Sequence, residues 1–84
     1  MDSTIKDKLH KEAKQYSYLH LDNLLLIEKA FIAGGEFAFS AFLIIDSHIP
    51  ATNYTLQYRP DNRELYLAIY NAFKAGANFI LKNN

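Results

Sequence analysis

Three histidines, His10, His20 and His48, are the residues of this chain best suited to metal ligation or proton transfer. A metal site built on a helix needs a second ligand three or four positions away. None of the three has one, and the residue a turn beyond His10 is Lys14, which is no ligand. Glu28 and Glu36 fall near one helical face but two turns apart, too far to share a proton or an ion. Asp22 and Asp61 are better placed to cap helices, because each precedes an apolar periodic run. There is no cysteine, which removes disulfides, thiolate zinc sites and cysteine nucleophiles together. Gly34-Gly35 sits inside a helical pattern and not between a strand and a helix, so it is no phosphate loop. These residues predict no catalytic site, no cofactor and no metal, and hence a protein that is not an enzyme.

Binding chemistry is better represented. Tyr54, Tyr58, Tyr66 and Tyr70 are crowded into one stretch, the last two a helical turn apart. Tyrosine offers large rigid contact area at a small cost in side-chain entropy, which is why it is enriched at protein interfaces. These four are the first candidates for partner contact, with core cover as the competing role for the same rings. The second candidates are Lys6, Lys8, Lys11 and Lys14, on the polar side of the first helical stripe. Asp7 and Glu12 interrupt that side, and the chain carries nine basic and nine acidic residues for a net charge of zero. Nucleic acid is therefore expected only as a weak or indirect partner, since its binders usually carry a net basic patch.

The elements that must position these side chains are helices. Ile5, Leu9, Ala13 and Tyr16 recur at helical spacing and predict a first helix over 3–18, capped by Asp2 or Ser3. A long apolar helix is expected over 22–45 with Asp22 as its cap, either continuous or split at Gly34-Gly35. Residues 46–60 hold both prolines and read as a connection, with 53–59 extended because Tyr54, Leu56 and Tyr58 alternate with polar residues. Asp61 followed by Glu64 has capping-box spacing and opens a last helix over 61–82.

The long helix and the last one share a repeat. Leu25 to Phe37 (LLIEKAFIAGGEF) returns at a constant offset as Leu67 to Phe79 (LAIYNAFKAGANF), with Leu, Ile, Ala, Phe, Ala, Gly and Phe in register. Ala30 and Gly34 in one copy, and Ala72 and Gly76 in the other, form small-residue faces on which a partner backbone can approach closely. The two helices are expected to pack antiparallel across these faces, or the faces to pair between two copies of the chain as a symmetric dimer.

The predicted fold is thus an all-α bundle of three or four helices in a single domain over 1–84. At 84 residues a single core is only marginally sufficient, so a homodimer or another partner is a natural expectation. Half the residues are apolar and 14% aromatic, which excludes a disordered chain. The charged N-terminus has no apolar core of a signal peptide, and the absence of cysteine suits a reducing compartment, so a cytoplasmic protein is expected. Glu28, Lys29 and Glu36 argue against a membrane span in the long helix.

The stretches AFIAGGEFAF and AFKAGANFIL resemble an F-x-A-G-x-x-F helix found in many short phage and prophage proteins. Small size, Lys, Asn and Ile bias and the lack of catalytic residues are similar to small phage-encoded inhibitors, including those of the anti-CRISPR type. The resemblance implies a non-enzymatic binder of a host defence complex such as a CRISPR nuclease. Many such inhibitors are acidic mimics of nucleic acid, and this neutral chain departs from them, which points to contacts with a protein surface. The competing expectations are a small structural or assembly homo-oligomer of a phage particle and a small nucleic-acid-binding regulator.

Overall fold

The computed structural model describes residues 3–41 and 47–83, folded as four α-helices: α1 Ser3–Ser17, α2 Leu24–Ser40, α3 His48–Gln57 and α4 Arg63–Asn83. No strand occurs among the described residues. The predicted all-α bundle is therefore the fold. α1 forms where its stripe predicts, burying Leu9, Ala13 and Ser17. Ser17 ends the stripe as a polar residue, and its hydroxyl donates to the Lys14 carbonyl at 2.7 Å.

Four expectations are corrected. Asp22 does not cap the second helix; it lies in a 3-10 turn, Leu21–Asn23, and the residue before α2 is Asn23. α2 runs unbroken through Gly34 and Gly35 and ends at Ser40, while the predicted continuation over 42–45 lies outside the described residues. The segment expected to be extended is a helix: in α3, Ala51 and Thr55 are buried one turn apart, and Thr55 donates to the Ala51 carbonyl at 2.7 Å. Pro50 is tolerated because it sits in the first turn, where no amide is needed. Arg59 closes α3 in the left-handed region (φ 46°), and Pro60 then forbids continuation. The cap of α4 is Asn62 and not Asp61: its Oδ1 accepts from the Leu65 amide at 2.8 Å, so Glu64 plays no part in a capping box.

The repeat explains the centre of the molecule. A Cβ built on Gly34 would collide with the backbone carbonyl of Phe73, and one on Gly76 with the backbone carbonyl of Phe31. Phe31 and Phe73 are equivalent positions of the repeat, as are Gly34 and Gly76, so the contact is reciprocal. The rings follow the same rule, Phe31 with Phe79 at 6.1 Å and its counterpart Phe73 with Phe37 at 5.8 Å. α2 and α4 are therefore related by a local two-fold axis.

The direction is parallel, and this is the fifth correction. Ile27 clusters with its own equivalent Ile69, and Ala30 with Ala72, while Ala38 and Ile80 share a second cluster further along. Antiparallel helices centred on the glycine contact would place each of these pairs about three turns or one and a half turns apart. Since the Ala/Gly faces are filled within one chain, they are not available for the symmetric dimer that the sequence also allowed.

The two-fold extends to the outer helices. Tyr16 packs its ring 5.1 Å from Phe31 at 41°, and Tyr54 packs its ring 5.2 Å from Phe73 at the same angle. At the same offset along the chain, His10 matches His48, Ala13 matches Ala51, Ser17 matches Thr55 and His20 matches Tyr58. Ala13 and Ala51 are both fully buried. The protein is thus two helical hairpins, α1–α2 and α3–α4, joined through the parallel α2–α4 pair.

Candidate interaction face

The local fold brings the four candidate tyrosines into one district, on α3 and the first half of α4. Tyr54 lies on α3 and Tyr58 just past its end, one turn on, their rings 5.1 Å from each other and their hydroxyls hydrogen-bonded at 2.8 Å. Tyr66 and Tyr70 are one turn apart on α4, stacked at 6.3 Å with planes only 12° from parallel. His48, the first residue of α3, stands edge-on to Tyr70 at 5.5 Å, and its Nδ1 shares a hydrogen bond with the Tyr70 hydroxyl. The ammonium of Lys74 lies 5.3 Å from the Tyr70 ring centroid, within reach of a cation–π attraction.

The competing roles divide among the rings. Tyr54 is mainly core cover, because it lies on Phe73 and packs against the Ile27–Ile69 cluster. Tyr58 is 41% exposed. Tyr66 and Tyr70 are half-buried, which leaves an edge of each available. Arg63, Tyr66, Tyr70 and Lys74 then follow one another along a single face of α4. Arg63 and Lys74 were not singled out from the sequence, and His48 only as a candidate metal ligand or proton carrier. For the two cations the signal was present, since their spacing from the tyrosines is helical; for His48 it was not, because α3 was not recognised as a helix.

Lys6, Lys8, Lys11 and Lys14 are all exposed on α1, in the other hairpin. Among the described residues no contact joins them to the tyrosines. The two candidate surfaces are separate places on the molecule, and the helix-packing residues Ala30, Gly34, Ala72 and Gly76 are interior.

Burial raises the Tyr54 hydroxyl well above the ordinary tyrosine range, and its hydrogen bond to Tyr58 and repulsion by an ionised Tyr58 add to the shift. Burial raises Tyr16 in the same direction. Folding therefore holds protons that the unfolded chain releases near about pH 10. The stabilising contribution is complete below that pH and is lost as pH climbs through the folded-state value. Melting temperature is expected to fall above about pH 10, and Tyr54→Phe, which cannot ionise, to flatten that fall. An alkaline limb with the same slope in Tyr54→Phe as in the parent would overturn the assignment.

No group of three or more His, Asp or Glu among the described residues could hold a metal ion, and no helix among them is long and apolar enough to cross a membrane. No family model matches the chain, and no curated protein and no solved structure matches it either.

Proposed function

We propose that the protein is a non-enzymatic binding module whose partner is another protein, and that it contacts this partner through the tyrosine face of α3 and α4. The observation that carries the reading is the arrangement of Tyr58, Tyr66 and Tyr70. Each of these rings, Tyr58 exposed and Tyr66 and Tyr70 half-buried, is held by a neighbour: Tyr58 by Tyr54, Tyr66 by Tyr70, and Tyr70 by His48 and Lys74. A contact surface fixed in this way loses little freedom on binding, which is the chief means by which aromatic anchors become hot spots.

The more specific reading follows the resemblance to phage and prophage proteins. The partner is then a host defence enzyme or complex, such as a CRISPR nuclease, and the protein inhibits or modulates it in the cytoplasm of the host. Zero net charge favours contact with protein surface over mimicry of nucleic acid.

The test pairs affinity with stability. Tyr58→Ala and Tyr66→Ala are expected to weaken partner binding with melting temperature little changed, at least one by about 2 kcal/mol or more. Tyr54→Ala is expected to lower stability as well, because it uncovers Phe73. Replacing Lys6, Lys8, Lys11 and Lys14 together by Glu leaves the complex intact. Loss of binding confined to the lysine variant would move the contact to α1 and bring nucleic acid into the target.

A further inference from the structure

The chain is neutral as a whole, but the second hairpin is not. From Ser47 to Asn83 it carries Arg59, Arg63, Lys74 and Lys82 against two carboxylates, Asp61 and Glu64, and α3 itself has none. Asp61 lies in the connection between the two arginines. Arg63, Tyr66, Tyr70 and Lys74 fall within a sector of about 80° on α4, and Glu64 falls outside it. Glu64 lines the polar cleft against the Leu21–Asn23 turn instead. The tyrosine face therefore has a cation at each end and no acid between them.

Those two cations are uncommitted. Neither Arg63 nor Lys74 makes an ion pair among the described residues; Arg63 is exposed, and Lys74 lies over the Tyr70 ring. The fold does not call for them either. At the two-fold equivalents of Tyr70 and Lys74 stand Glu28 and Ile32, half-buried in the same way.

We infer that the partner segment bound at the tyrosine face, an inference that rests on the reading above, is acidic. It presents two carboxylate positions about 16 Å apart, the rise along α4 from Arg63 to Lys74, with uncharged residues between them against Tyr66 and Tyr70. The Arg63 fork holds a carboxylate by two parallel bonds, whereas Lys74 offers a point charge, so the Arg63 end fixes the register more strictly. Charges placed in this way select the partner and speed encounter more than they add affinity. Single-stranded nucleic acid fits less well, because its bases need open ring faces to stack on. Tyr66 and Tyr70 stack on each other, and Tyr70 also has Lys74 over it and His48 at its side. What these rings offer is edges.

The probe is a peptide of about ten residues with a pair of aspartates near each end, about five residues apart so that an extended chain spans the two cations, and leucine and serine between. The same peptide with lysine for aspartate and an oligothymidylate are the controls. Each is titrated into the full chain and followed by amide chemical shifts. The aspartate peptide is expected to shift Arg63, Tyr66, Tyr70 and Lys74, to weaken with added salt, and to bind at least about tenfold more tightly than the lysine peptide. Arg63→Gln with Lys74→Gln is expected to lose about tenfold with melting temperature little changed. Lys8→Gln with Lys11→Gln, the same loss of charge on α1, is expected to bind like the parent. Equal losses in the two double variants would reduce the effect to net charge and overturn the inference, as would parental binding by Arg63→Gln with Lys74→Gln. Tighter binding of the oligothymidylate at these residues would make the occupant nucleic acid and overturn it too. Equal shifts by both peptides would overturn the acidic segment and leave the tyrosine face standing as a peptide site. Silence at these residues with the aspartate peptide would also refute the inference, while the tyrosine reading would still be judged by Tyr58→Ala and Tyr66→Ala against the protein partner.

Discussion

Gly76→Leu is expected to abolish the folded state, and Gly76→Ala to lower stability by an amount at or beyond the upper end of the usual overpacking range of about 1–3 kcal/mol. The direction is opposite to what the helix alone predicts. In an isolated helix glycine is worse than alanine or leucine by up to about 1 kcal/mol, so either substitution would stabilise α4 taken by itself. What reverses the sign is the neighbour. The added Cβ meets the carbonyl of Phe31, a backbone atom already fixed in α2, and no rotamer change can move it away. By the two-fold, Gly34 meets Phe73 in the same way, and Gly34→Ala is expected to match Gly76→Ala in thermal melts. Gly35 is different, because its neighbours are the side-chain tips of Leu9 and Ile80, which can yield. A Gly76→Ala variant as stable as the parent would refute the close backbone approach.

Phe31→Ala and Phe73→Ala form the second large expectation. Each ring is buried and bridges an outer-helix tyrosine and a phenylalanine of the facing helix, Tyr16 and Phe79 for Phe31, and Tyr54 and Phe37 for Phe73. Truncating a buried phenylalanine costs about 3–5 kcal/mol, a large part of the roughly 5–15 kcal/mol that holds a domain together. Both variants should therefore be largely unfolded at modest denaturant, and by similar amounts. A Phe31→Ala cost under about 1 kcal/mol beside an unfolded Phe73→Ala would mean that the two hairpins match in geometry but not in energy.

How much of this was legible in the sequence depended on how residues were shared between the halves. The α2 and α4 faces were readable because the same small and aromatic types recur in register, and small residues on one helical face have few other uses. Their relative direction was not readable, because Ala30, Gly34, Ala72 and Gly76 give the same pattern for parallel and antiparallel packing; only the crossing segment before α4 decides it. α3 was misread since Tyr54-Thr55-Leu56-Gln57-Tyr58 alternates and is rich in residues that suit strands. Contact of Tyr54 with Phe73 and burial of Ala51 and Thr55 override that preference. The equivalence of α1 and α3 was hidden because the two share only a histidine, an alanine and a tyrosine across lysine-rich and proline-containing surroundings. Of the candidate site, the tyrosines were visible as types, but their partners on α3 could not be found while α3 was taken for a loop.

The reciprocal contact of each glycine with the opposite phenylalanine carbonyl has a consequence for how the surface can change. In a symmetric dimer of identical hairpins, every substitution is made twice, and a residue that suits one side is imposed on the other. Here the two hairpins lie in one polypeptide, so their association does not depend on concentration and each half can vary alone. The central positions carry matched residues, and a side chain on either glycine strikes backbone. The outer positions differ: Tyr70 is the counterpart of Glu28, and Lys74 of Ile32. One polypeptide thereby presents two unlike surfaces on one repeated backbone geometry.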